Sequence, residues 1–192
     1  MNQINILARS VTSEALLVLR HQALSRDSAD FLARIPTPRH LNFIERYHTM
    51  LKNIPSIISP ELMSVLMRMG HGDELVLADG NFPAESCARR LVRADGHGGV
   101  ELLDAIMRFF PLDSFVDHPA SVMQPVDDEA ADPPIWTEYR RVLAHHEGSD
   151  VELRPIERFR FYDFSKAAYA IVATGETAIY ANLILKKGVV ST

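Results

Sequence analysis

The helical repeat Leu62, Val65, Leu66 and Met69 stops at Gly70, and four residues later the chain reads Glu74-Leu75-Val76-Leu77-Ala78. A 3.6-residue period that gives way to a short run of strand formers across one glycine turn predicts a helix feeding a buried strand. Ser59-Pro60-Glu61 supplies the start of that helix: a capping hydroxyl, a proline in the first turn and an acid behind it. The same switch recurs. Val100, Leu103, Ile106, Met107 and Phe110 mark a second helix closed by Pro111, with a strand expected over Ser121–Val126. Asp132-Pro133-Pro134 opens a third, in which Ile135, Tyr139, Val142 and Leu143 align. Leu91–Asp95 reads as a short strand, Glu157–Lys166 as helical or mixed, and Tyr169–Ala173 and Tyr180–Lys186 as two last strands around a Thr174-Gly175-Glu176 turn. Alternating helices and short apolar strands predict an α/β fold: three α/β/α layers around a mainly parallel sheet, made mixed by a final hairpin.

Composition removes several classes of function. A net charge of −5 argues against nucleic acid as the main partner. The single Cys87 excludes an intramolecular disulfide and fits a reducing, cytoplasmic compartment. Neither CxxC nor HExxH occurs, and His145-His146 has no second pair of ligands, so no metal or other cofactor is expected. No apolar run approaches the roughly 18 residues of a membrane span. Residues 1–49 stand apart, with six arginines, four acids and no lysine, a charge of +2 that leaves −7 for the other 143 residues. Ser13–Ile35 has the pattern of an amphipathic helix, broken at Ile35-Pro36-Thr37-Pro38. This segment reads as a poorly ordered extension, or as a translation start placed before the true one at Met50. The functional domain is expected over residues 50–192.

The chemistry centres on Gly70-His71-Gly72-Asp73 and the aspartate that ends the following strand, Asp79. Histidine exchanges protons near neutral pH, and strand ends are where α/β proteins meet ligands. Arg158, in Glu157-Arg158-Phe159-Arg160-Phe161-Tyr162, and Tyr180-Ala181-Asn182 add hydrogen-bonding groups. His97 lies in a glycine-rich loop without the lysine or spacing of a phosphate loop, and no G-x-S-x-G elbow offers a serine nucleophile. The set suits a polyhydroxylated ligand and leaves proton transfer as its chemistry.

Seven blocks in order resemble the L-fucose mutarotase family, the sister of D-ribose pyranase. They are Leu51-Lys52-Asn53-Ile54, Ile58-Ser59-Pro60-Glu61-Leu62, Met69–Glu74 with Ala78-Asp79, Arg93-Ala94-Asp95-Gly96, Leu112-Asp113-Ser114-Phe115, Arg158–Tyr162, and Thr174-Gly175-Glu176 through Asn182–Val189. The resemblance implies an RbsD-like fold, no cofactor, and an isomerase that interconverts the anomers of a free monosaccharide, L-fucose first. D-ribose pyranase activity and non-catalytic sugar binding in transport are the alternatives. It further implies that His71 is the proton donor, that Tyr180 or a water is its partner, and that Asp79, Arg158, Tyr180, Ala181 and Asn182 hold the sugar. Ala181 stands where the family usually has glycine, which matters if the position needs a positive φ. Ring-shaped homo-oligomers with sites between neighbours are implied too. Eight residues separate His71 from Asp79, roughly 26 Å if fully extended. Either the glycine turn folds back, or another chain completes the site.

Overall fold

The structure is a computed structural model that describes residues 51–126 and 132–190. The expected N-terminal extension and its amphipathic stretch lie outside the described residues.

Helix α1 (Pro60–Arg68) begins as its cap dictates: the Ser59 hydroxyl accepts the Leu62 N–H at 3.1 Å, and Leu62, Val65 and Leu66 turn inward. The turn behind it is tied on both sides. Gly70 N–H donates to the Asp73 carboxylate at 2.8 Å, Gly72 N–H donates to the Lys187 carbonyl, and Lys187 N–H donates to the Asp73 carbonyl. Only Gly72 needs to be glycine for conformational reasons, with φ +84°, whereas a Cβ on Gly70 would make ordinary contact. Strand β1 (Glu74–Ala78) follows, then α2 (Ala84–Cys87), β2 (Leu91–Ala94), α3 (Gly99–Met107), β3 (Ala120–Met123) and α4 (Pro134–Glu147). The chain closes with β4 (Leu153–Ile156), α5 (Arg158–Ala167), β5 (Ala170–Thr174) and β6 (Leu183–Lys186).

The six strands lie in the order β2-β5-β1-β6-β3-β4. Pairs β2–β5, β5–β1 and β3–β4 are parallel, and β6 runs antiparallel to both β1 and β3. The sheet is therefore mixed and mainly parallel, but not through a final hairpin. Strand β1 lies between β5 and β6, so the two last strands never pair. The turn between them instead spends its groups elsewhere: Gly175 N–H donates to the His97 carbonyl, and a Cβ there would overlap the Asp95 carbonyl.

The pleat sorts the side chains into two layers. Leu75, Leu77, Val92, Val122, Val172, Leu183 and Leu185 face α1, α3 and α4 in one core. Val76, Ala78, Met123, Ile171, Ala173 and Ile184 face Phe82, α2 and Phe161 of α5 in the other. No helix among the described residues is long and apolar enough to cross a membrane.

Candidate active site

In this sheet the carboxyl ends of β1 and β3 share a rim with the start of the antiparallel β6. Leu77 pairs with Leu183, which brings Asp79 beside Asn182. The two make a reciprocal pair: Asp79 N–H donates to Asn182 Oδ1 at 2.9 Å, and Asn182 Nδ2 donates to Asp79 Oδ2 at 2.7 Å. Asp79 Oδ1 also accepts the Asn81 N–H at 3.0 Å. Both residues are buried. Burial pushes the Asp79 carboxyl above its ordinary range, and the hydrogen bonds from Asn81 and Asn182 pull against it.

Tyr180 precedes this pair with φ +59°, a left-handed conformation that bulky residues rarely adopt. Its phenol oxygen accepts the Val126 N–H at 3.4 Å, and its ring is half-buried. Its carbonyl accepts Trp136 Nε1–H at 3.0 Å, and the next carbonyl, of Ala181, accepts the Tyr139 hydroxyl at 2.9 Å. Burial, followed by the nearby carboxylates of Glu176 and Asp79, pushes the Tyr139 phenol well above its usual value, so it is a permanent donor. Ala181 has no positive φ, and its methyl packs in the core. No positive φ therefore asks for glycine at this position, since the left-handed residue is Tyr180.

Arg158 opens α5 two residues after β4, at this same rim. Met123 N–H donates to the Asn182 carbonyl and Gln124 N–H to the Ile156 carbonyl, which ties the end of β3 to both neighbours. Glu157 caps α5 by accepting the Phe159 and Arg160 N–H groups. The Arg158 guanidinium is exposed, lies 4.7 Å from the Phe159 ring centre, and has no ion-pair partner among the described residues. A free cation at a strand end suits hydroxyl groups in a bound sugar.

His71 is not with them. It sits at the amino end of β1, where Nε2 lies 3.2 Å from Asp113 Oδ1 and the ring meets Phe115 edge-on at 5.7 Å. The imidazole is 49% exposed while Asp113 is nearly covered. At about 3.3 Å per strand residue, the run from Asp73 to Asp79 spans about 20 Å. The glycine turn does not fold His71 back across that length. The candidate residues therefore lie on opposite rims of the sheet: the His71 imidazole beside the Asp113 carboxylate at one, and the Asp79–Asn182 pair at the other.

Asp113 was missed in the sequence. It stands in one of the seven blocks, Leu112-Asp113-Ser114-Phe115, but lies 42 residues from His71, and no spacing pairs the two. The Phe115 N–H, and after it the adjoining His71, hold its carboxyl below the usual aspartate range. A depressed carboxyl stabilises the fold above its unfolded-state value of about 3.9 and loses that contribution as pH falls through the folded value. Asp79, whose value is raised, contributes with the opposite sign. We expect the thermal midpoint of Asp113→Asn to fall furthest below the native one above that range, and the gap to close below about pH 4. Calorimetric scans across pH check this; a gap that widens in acid contradicts it.

The model of a family described as the RbsD / FucU transport protein family matches residues 52–190. The chain is similar to the fucose mutarotase of Homo sapiens, 52% identical over 147 residues that cover 73% of this chain and 95% of the relative. It is similar to the L-fucose mutarotase of Actinobacillus pleuropneumoniae serotype 5b (strain L20), 48% identical over 140 residues, covering 73% and 97%. Among solved structures it is similar to the fucose mutarotase from Streptococcus pneumoniae in complex with L-fucose. There the TM-score is 0.70 and the identity 53%, with 73% of this chain and all of that chain covered.

Proposed function

The chain belongs to the RbsD / FucU transport protein family, and from that premise we propose that it interconverts the α and β anomers of L-fucose. The observation that carries this reading is the 53% identity over the whole of a fucose mutarotase whose structure holds L-fucose.

The chemistry asks for two positioned proton-transfer groups. A base takes the proton of the anomeric hydroxyl while an acid protonates the ring oxygen, and the bond from C1 to the ring oxygen breaks. The open aldehyde turns about C1–C2. On closure at the other face the ring hydroxyl gives its proton back to the acid, and the base gives its proton to the carbonyl oxygen. His71 is the acid in its imidazolium form: Nε2–H faces Asp113 Oδ1, and Nδ1–H is left to donate to the ring oxygen. Tyr180, or a water beside it, takes and returns the other proton. Asp79, Arg158, Asn182 and the backbone at Ala181 hold the remaining hydroxyls.

No monosaccharide bridges the length of β1, so His71 of one chain meets the Asp79 rim of a neighbour. Such a contact joins two different surfaces, and repeating it closes a ring. Phe115 and Val116, 75% and 38% exposed beside His71, supply apolar area for that contact. A buried, free Cys87 suits a cytoplasmic protein.

Saturation-transfer NMR tests the activity directly. Adding the protein to equilibrated L-fucose is expected to transfer saturation between the two anomeric protons far faster than buffer alone. Faster pyranose–furanose exchange of D-ribose than of L-fucose would assign the ribose reaction instead. Binding by calorimetry with no acceleration would mark a non-catalytic sugar carrier.

A further inference from the structure

Three consecutive carbonyls, those of Tyr180, Ala181 and Asn182, each accept a hydrogen bond from a separate donor: Trp136 Nε1, the Tyr139 hydroxyl and Met123 N–H. The first two donors stand three residues apart on α4 and so share a face. Their rings are 2% and 0% exposed. Bulk alone would account for two large side chains in that layer. It does not account for both polar tips ending on adjacent carbonyls, at the one point near the site where a bulky residue is left-handed. A tyrosine in that conformation is strained and persists only where its surroundings hold it. A third position is committed to the same arrangement. Any side chain on Gly99, the first residue of α3, would overlap the Tyr139 hydroxyl.

We infer that Trp136 and Tyr139 are positioning residues for the anomer exchange. Together they hold the Tyr180–Ala181 backbone so that the Tyr180 phenol and the Asn182 amide face the sugar. Gly99 is the notch that admits the Tyr139 hydroxyl. The inference rests on the proposed role of Tyr180 and Asn182 as sugar contacts.

Tyr139→Phe keeps the ring and removes only the donor. It is expected to lower kcat/KM for L-fucose exchange about tenfold, mostly through KM, since one buried carbonyl loses its partner. Trp136→Phe is expected to move KM the same way. Gly99→Ala, which displaces the hydroxyl without altering the tyrosine, should reproduce the Tyr139→Phe phenotype. In an Asn182→Ala background Tyr139→Phe should cost less than it costs alone, because one of the two groups it positions is already gone. A crystal structure of Tyr139→Phe should show Tyr180 leaving the left-handed region, a readout that needs no sugar. If Tyr139→Phe does not fold, Trp136→Phe and Gly99→Ala carry the same comparisons. An unchanged KM overturns the inference. So does a loss that adds in full to that of Asn182→Ala, or a Tyr180 that keeps its φ without the hydroxyl. Native protein that fails to accelerate L-fucose exchange would sink the functional reading, while the crystal structure would still judge the clamp.

Discussion

His71→Ala is expected to remove the catalysed part of L-fucose anomer exchange, a fall of about 10²–10⁴-fold, and to leave the fold standing. The expectation follows from how the turn is built. Its ties run from Gly70 to the Asp73 carboxylate, from Asp73 N–H to the Gly70 carbonyl, from Gly72 to Lys187, and from Lys187 back to Asp73, and none uses the imidazole. What the substitution deletes is the contact with Asp113 and the edge against Phe115. Asp113 keeps the Phe115 N–H, so its carboxylate is not stranded. Saturation transfer reads the activity, urea denaturation the stability, and sedimentation the assembly. A His71→Ala protein with native exchange rates would refute the role of the imidazole.

The second large effect is a recovery. Arg158→Ala on an exposed helix start is expected to bind L-fucose poorly while folding normally, and His71→Ala to bind it without exchange. If each site takes His71 from one chain and Arg158 from the next, the two defects are complementary. Co-expression in equal amounts then places two intact halves together in about one quarter of contacts, since each contact surface is native with a chance of about one half. Exchange should return to about a quarter of the native rate, with neither variant active alone. No recovery would mean that both halves of a site come from the same chain. The 20 Å run of β1 would then have to be bridged by some other movement.

Much of this layout could be read in the residues, and the gaps have physical causes. Strand β1 was visible because Leu75–Ala78 is wholly buried and so uniformly apolar. Strand β5 was visible for the same reason. Strand β4, Leu153-Arg154-Pro155-Ile156, was not expected. It lies at the sheet's edge, where only its first and last residues are buried, and an edge tolerates both the proline and the arginine. The Thr174-Gly175-Glu176 turn suggested a hairpin because local signals report a reversal but not which strand comes to lie between. The strand-end positions of Asp79 and Asn182 followed from pattern and resemblance, whereas that of Arg158 did not, because β4 itself was not expected. The Asp113 carboxylate and the Trp136–Tyr139 donors did not, since they reach their partners across 42 to 44 residues and obey no spacing rule.

The position of β6 has a consequence for how the protein is made. Its neighbours β1 and β3 touch each other only through it, so one half of the sheet (β2, β5, β1) and the other (β3, β4) stay separate until the last strand arrives. On the ribosome β6 is the last of the six strands to emerge. The sheet therefore keeps open edges until β6 arrives, and closure runs through contacts distant in sequence. The carboxyl-terminal segment acts as the keystone, and a prematurely ended message would yield exposed edges rather than a weakened enzyme.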